Sequence, residues 1–467
     1  MKNNDHRTLL VVIAIALITF MGILSETALN IAYAMLITEL NVTASVIQWL
    51  TTGYLLTLSS LIPLSPLLVR RYPTRRLFQA AVLISLAGTM ICGLAGAFPL
   101  LLTGRIIQAI GTSISLPLMV NIILEAVPTD RRGKIMGIVG LVTCFAPALG
   151  PIFGGIVMQY MNWHWIFFFM LPFLLLSLLV GSKYMIDIHK EDPTRADYLS
   201  MLLSASAFIG IIYGVSLSAD RGWQDAAVLL PLSLGLISIS FFVYRQIHLK
   251  EPLLNLAVFS YPMFTVGVLI VIISMMLVLA AAFILPLYLQ QALGCSSFTA
   301  ALAMLPGAFL NGIMSPITGR ILDRHGPKRL LQTGSLLVAV VMAIFSFFDA
   351  SLLSVIMLYA IFMFGASMLA MPAQTNGLNQ LPAKYNADGA AIVNTLQQVA
   401  GAFGTALASS IFTAATKTSP ATDATTIIAI ATSSTFHFLL ILAISGLLIS
   451  LTVNNNQPPG HTAPVSH

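Results

Sequence analysis

Long apolar runs separated by short polar breaks recur along the whole chain. A helix needs about 20 apolar residues to cross a hydrocarbon core. Runs of that kind centre near residues 20, 57, 88, 112, 146, 175, 209, 235, 275, 309, 338, 361, 400 and 442. They predict fourteen transmembrane helices in an all-α integral membrane fold. No small-residue cleavage site follows the first run and many equally apolar runs come after it, so it is expected to be kept as the first span rather than removed as a leader.

Composition strengthens this reading. Hydrophobic residues make up 58% of the chain and charged residues 8%, against about 25% charged in an average soluble domain. So few charges cannot build a water-facing surface, and the solvent is lipid. Cys92, Cys144 and Cys295 lie far apart beside or within apolar runs, with no metal or redox spacing. The net charge of +6 does not mark a nucleic-acid binder, because the basic residues fall in clusters between the runs. With the N-terminus inside, 19 of the 22 Lys and Arg residues lie on the cytoplasmic side; Arg221 and Lys417 face outward and Arg105 lies within the membrane. That asymmetry sets orientation. An even number of spans returns the C-terminus to the cytoplasm, and the expected location is the inner or plasma membrane, multi-pass.

The chain also repeats itself. The loop Pro66 to Phe78 aligns with Gly319 to Leu331 at an offset of 253, while Gly111 matches Gly365 and Pro128 matches Pro382 at 254. Two landmarks sharing one offset mark two halves of like topology. The expected plan is six, two, six: a first bundle over 1–186, two inserted helices over 187–255, a second bundle over 256–453, and a polar, disordered tail over 454–467.

Several motifs carry chemistry. GRILDRHGPK, Gly319 to Lys328, resembles the cytoplasmic loop motif GxxxDRxGRK of the major facilitator superfamily, with Pro327 where the motif has Arg. The resemblance implies a gate made by Gly319, Asp323, Arg324, Gly326 and Lys328. Gly319 would let two helices approach, and Asp323 would accept bonds from a helix N-terminus. The first-half loop has Pro66, Arg70 and Pro73 where Gly, Asp and Gly are expected, so Asp323 is the anchor. CFAPALGPIFGG, Cys144 to Gly155, resembles the antiporter motif of drug:proton exchangers. Its Pro147 and Pro151 favour a kink, and its Gly150 and Gly154 favour close helix packing. With Gly155 they form the expected hinge.

GRIIQAIGTSIS, Gly104 to Ser115, is similar to the span-4 motif RxxQGxG, with Ala109 replacing a glycine. Arg105, Gln108, Thr112 and Ser115 recur at steps of three and four and share one helix face. LSETALNIA, Leu24 to Ala32, resembles the fourteen-helix signature LDxTxxNxA. Thr27 and Asn30 match, Ser25 replaces the acid, and Glu26 supplies one a residue later. A carboxylate inside a span is a functional residue by default, so Glu26 with Arg105 is the expected proton-coupling pair. Asn30, Gln108, Thr112, Gln374, Asn376, Asn394, Gln397 and Gln398 are cavity candidates. NWHWIF, Asn162 to Phe167, is expected to anchor at the outer interface.

Together these motifs resemble the fourteen-helix drug:proton antiporter branch of the superfamily, and the subgroup that exports lincosamides, quinolones and organic cations. The resemblance implies multidrug efflux by alternating access, with small amphipathic or cationic substrates, protons and the bilayer as partners. A single chain is the expected unit. No P-loop, nucleophile elbow or metal spacing is present, so no enzyme chemistry and no cofactor is expected, and the proton gradient supplies the energy. Export of one endogenous metabolite, siderophore or lipid by the same fold stays open, as does a receptor or scaffold without a transport cycle. Asp323→Asn, which keeps shape but loses charge-assisted bonds, is expected to reduce transport while expression and insertion are unchanged; a wild-type rate would remove Asp323 from the gate.

Overall fold

The computed structural model describes residues 2–62, 68, 71–126, 146, 149–185, 197–249, 252, 254–347, 351–382, 385–419 and 423–454. The helices are α1 (Lys2–Glu39), α2 (Ala44–Ile47), α3 (Trp49–Leu61), α4 (Thr74–Gly93), α5 (Phe98–Ala126), α6 (149–160), α7 (His164–Phe168) and α8 (Leu171–Tyr184). They continue with α9 (Tyr198–Arg221), α10 (Ala226–His248), α11 (Pro262–Gln291), α12 (Ser297–His325), α13 (Pro327–Phe347), α14 (Leu352–Ser367), α15 (Ala370–Asn379), α16 (Asn386–Thr418) and α17 (Ala424–Leu451). Among the described residues no strand occurs, and 12 helical stretches are long and apolar enough to cross a membrane. They correspond to all but two of the fourteen predicted spans. The runs near 57 and 146 are represented by α3, with 13 residues, and by α6, each adjoining residues outside the described set.

Helices begin where a side chain can satisfy their first free N–H groups. Asp197 accepts from the Ser200 amide, Asp225 from Ala227, Ser296 from Thr299, Ser351 from Ser354 and Asp423 from Thr426. Gly326, with φ +77°, ends α12 in the left-handed region, where a side chain would be strained.

Lipid gives helices no hydrophobic reason to associate, so close packing at small residues holds them. A Cβ on Gly111 of α5 would lie 2.5 Å from the Ala81 carbonyl of α4 and would also collide with Ser85. A Cβ on Gly365 of α14 would lie 3.1 Å from the Gly334 carbonyl and 3.0 Å from Val338, both on α13. Ala81 and Gly334, and Ser85 and Val338, are each 253 apart, so the offset between the halves recurs in their contacts. A Cβ on Gly319 would meet no described atom within 4 Å, while Gly334 and Gly365 make a close helix approach between α13 and α14. The Asp323 side chain lies outside the described residues.

Trp163 also corrects the sequence reading. It is fully buried and donates from Nε1 to Glu39 Oε2 at 3.1 Å, so it ties α1 to the bundle rather than facing lipid. Trp165, 42% exposed, is the residue of that motif placed to anchor at an interface.

Hydrogen bonds between the two halves gather at the end of the bundle away from the N-terminus. Gln290 Nε2 donates to the Ile31 carbonyl at 3.1 Å, Thr52 Oγ1 to Ala402 O at 3.5 Å and Ser409 Oγ to Ala44 O at 3.1 Å. The inserted helices α9 and α10 pack tightly on each other: a Cβ on Gly210 would sit 2.5 Å from Pro231 O and one on Gly235 2.7 Å from the Ile211 amide. The pair lies along the seam between the halves. Gln48 Nε2, at the turn before α3, donates to Ser216 Oγ of α9 at 3.0 Å, and Ser410 Oγ of α16 donates to Val215 O at 3.1 Å.

At the opposite end, Arg245 Nη2 of α10 reaches Asp197 Oδ1 at 2.9 Å, beside Ser200 and Gln246. Partial burial pushes the Asp197 carboxyl upward, but bonds from Arg245 and Ser200 outweigh it and hold the carboxyl below its ordinary range. A depressed acid stabilises the fold at pH values where its unfolded counterpart is ionised, and that contribution is lost as pH falls through the folded value. Asp197→Ala, which removes both cap and ion pair, is expected to destabilise by about 1 to 2 kcal/mol at neutral pH. Thermal denaturation in detergent should resolve this as a lower midpoint, with the gap from wild type narrowing at acid pH; equal midpoints at pH 7 would show that the clamp contributes nothing.

Candidate functional site

Arg105 is fully buried in α5. A guanidinium stays protonated in proteins, and a charged side chain at the centre of a spanning helix costs about 3 kcal/mol on insertion scales, so neighbouring helices must solvate it. Nη1 donates to Ser25 Oγ of α1 at 2.9 Å and to Gln108 Oε1 at 2.6 Å. Nε donates to the Leu50 carbonyl of α3 at 3.3 Å. The Tyr54 ring lies 4.2 Å from the guanidinium carbon. Nη2 is buried and has no partner among the described residues.

These partners are themselves held. Gln108 Nε2 donates to Thr89 Oγ1 of α4 at 3.0 Å, and Ser25 Oγ is bonded to the Gly22 carbonyl at 2.8 Å. Tyr54 donates to Thr112 Oγ1 at 3.0 Å, and Thr112 donates onward to the Gln108 carbonyl at 3.2 Å. Thr19 and Ser115 share a bond of 3.2 Å between α1 and α5. The face predicted from Arg105, Gln108, Thr112 and Ser115 is therefore wholly internal.

Glu26 follows Ser25 directly and is 9% exposed. Among the described residues it forms no hydrogen bond or ion pair, and the one described salt bridge is that of Arg245 with Asp197. Among the described residues, the Glu26 carboxyl and Arg105 Nη2 are thus both buried without a hydrogen-bond partner, and Ser25, next to the first, bonds the guanidinium of the second. Immediately beyond Glu26, α6 closes on α1. A Cβ on Gly150 would collide with the Thr27 side chain and lie 2.9 Å from the Ala28 amide, and one on Gly154 would lie 2.5 Å from the Ala28 carbonyl. Gly155 faces the other half, where a Cβ would collide with Ala301. Pro151 is buried in α6, and Pro147 lies outside the described residues.

Asn30, one turn beyond Glu26, is buried and accepts from Thr51 Oγ1 of α3 at 3.2 Å; Thr51 also bonds the Tyr33 hydroxyl. The remaining cavity candidates sit in the second half. Gln374, Gln397 and Gln398 are half-buried, Asn376 is buried and Asn394 is exposed. No described contact joins them to the Arg105 cluster. Of the gate residues, Arg324 and Lys328 are exposed and Gly326 forms the helix end.

Sequence reasoning did not find Ser25, Leu50 or Tyr54 as partners of Arg105, nor Thr89 as the partner of Gln108. A serine in a span reads as a packing residue and a tyrosine in an apolar run as core, and a backbone carbonyl leaves no mark in sequence. The available signal was the cost of Arg105 itself, which required acceptors from neighbouring helices.

The model of the Major Facilitator Superfamily matches residues 15–405. The chain is 45% identical over 458 residues to the lincomycin resistance protein LmrB of Bacillus subtilis, covering 96% of each. It is 44% identical over 443 residues to the protein of that name in Listeria innocua, covering 93% of this chain and 94% of the other. A crystal structure of a bacterial homolog of the human lysosomal transporter Spinster, inward-facing and unoccupied, aligns at a TM-score of 0.70 and 14% identity, over 95% of this chain and 96% of that one. The structural likeness shows the fold, and the family match and sequence identities carry the kinship. The chain belongs to the Major Facilitator Superfamily, and it is a multi-pass secondary transporter rather than an enzyme.

Proposed function

We propose that this transporter exports lincomycin-like and other amphipathic antibiotics in exchange for protons, by alternating access through fourteen membrane spans. Efflux is supported by 44–45% identity, over more than nine-tenths of the chain, to two lincomycin resistance proteins. Fourteen spans follow if α3 and α6 are counted with the 12 long helices, since the sequence stays apolar beyond Leu61 and before Leu149. The basic residues then put both termini in the cytoplasm. In that orientation the bonded far end is the outer face, which supports a cytoplasm-open state. The Asp323 loop is the inner gate, and one chain is the working unit.

The observation that carries proton coupling is Glu26, a secluded carboxyl without a partner among the described residues, adjoining the Ser25 that bonds Arg105. Protonation removes its charge and proton release restores it. Only the charged form is drawn to the guanidinium, and in a site poor in water that attraction is strong. Because α6 contacts α1 at Thr27 and Ala28, a shift of α1 with the Glu26 charge is felt directly at the helix with the antiporter motif. Coupling results if the two access states differ in their preference for protonated Glu26. A cationic or neutral drug occupies the cavity when the proton has left. No cofactor is needed.

Gly154→Leu would force α6 away from the Ala28 backbone, and it is expected to trap one access state. Labelling of single cysteines from each side of the membrane reads this directly; unchanged labelling would remove Gly154 as the pivot. Glu26→Gln, which mimics the protonated acid, is expected to abolish gradient-driven export while lincomycin binding persists. The deciding measurement is lincomycin-induced proton movement in proteoliposomes. Full pH-driven transport by this variant would sink the assignment and direct the search to the polar residues of α5, α15 and α16.

A further inference from the structure

We propose that Tyr54 is a positioning residue for the coupling site, whose ring face fixes the Arg105 guanidinium so that Nη2 alone is left for the transport cycle. The inference rests on the coupling role argued for Glu26 and Arg105. Nη1 and Nε are committed to Ser25, Gln108 and the Leu50 carbonyl, and all three acceptors are neutral. The ring of Tyr54 is the described group that meets the cation by its face, at 4.2 Å, and a desolvated site is where such a contact is strongest.

An aromatic that merely filled space would not need its tip anchored. Tyr54 is fully buried and its hydroxyl is tied to Thr112, whose own bond runs to the Gln108 backbone. Gly22 of α1 leaves the room for this arrangement, since a Cβ there would stand 2.9 Å from the Tyr54 hydroxyl and 2.6 Å from Thr112 Oγ1. Leu50 and Tyr54 are one turn apart on α3, so one helix face supplies both a carbonyl and a ring to Arg105. Thr52 of that helix also bonds the other half at Ala402, and Gln48 at its N-terminal cap bonds α9 at Ser216. Movement of the seam therefore changes the grip on Arg105. The titratable groups around the guanidinium are Glu26 and Tyr33 of α1, Tyr54 of α3 and Cys92 of α4.

The test compares wild type, Tyr54→Phe and Tyr54→Leu in proteoliposomes, with lincomycin as substrate and internal pH as readout across a pH series. Tyr54→Phe keeps the ring and should retain at least about half of the wild-type turnover. Tyr54→Leu should lose about thirtyfold in turnover, the scale of a desolvated cation–π contact of about 2 kcal/mol, with KM little changed and a displaced pH profile. Wild-type turnover and profile in Tyr54→Leu would overturn the inference, and so would an equal loss in Tyr54→Phe, which would shift the role to the hydroxyl. If Tyr54→Leu fails to insert, phenylalanine and pentafluorophenylalanine at position 54 decide the matter. They share a shape but differ in ring charge, and equal turnover would again overturn it. Absence of lincomycin-driven proton movement in wild type would instead defeat the coupling reading on which the inference stands.

Discussion

A permanently charged guanidinium inside a lipid-facing bundle sets the terms for the first half of this protein. Arg105 has no exposure and cannot shed its proton, so protein groups must replace the water it lost. Three other helices do so directly or through Gln108: α1 through Ser25, α3 through Leu50 and Tyr54, and α4 through Thr89. Moving α1 or α3 alone would strip a partner from a buried charge, which is far more costly than breaking a surface pair, and moving α4 would unseat the Gln108 that bonds it. The four helices are thereby tied together around the charge, and Glu26 directly follows Ser25, one of the groups that bonds it.

The second constraint is the absence of a hydrophobic drive between helices in lipid. Contact is made instead where side chains are missing. Gly111 against α4 and Gly365 against α13 bind equivalent helix pairs in the two halves, and Gly210 with Gly235 binds the inserted pair. Gly150 and Gly154 do the same between α6 and α1, but at the residues just beyond Glu26. Packing of this kind has few intermediate positions, because interiors resist small deformations. It suits a device that moves between two arrangements.

The pair α9 and α10 is more than a connection between α8 and α11. Its first helix, α9, contributes Phe208 and Ile212 to an apolar cluster with Tyr54, Leu55 and Leu58 of α3 and Ala402 and Ala406 of α16. The bonds at Ser216 and Val215 lie on the same seam. One helix, α9, thus touches both α3 and α16, and the ring that lies over Arg105 belongs to that cluster.

Run length, charge placement and the offset of 253 to 254 are legible in the sequence because each depends only on position along the chain: how far a helix must reach, which loops carry Lys and Arg, and where a loop recurs. Glu26 and Arg105 stand out for a related reason, since a charge within an apolar run is visible without knowing its neighbours. The tertiary structure alone decided that Ser25 rather than Glu26 bonds Arg105, that Tyr54 covers the guanidinium, that Gly150 and Gly154 meet Thr27 and Ala28, and that Trp163 is internal. These facts depend on the rotation of each helix about its axis and on which distant helix lies beside it. In water, polarity would mark the inward face of a helix. In lipid both faces are apolar, so the sequence records that a helix spans the membrane but leaves its rotation to be settled by packing.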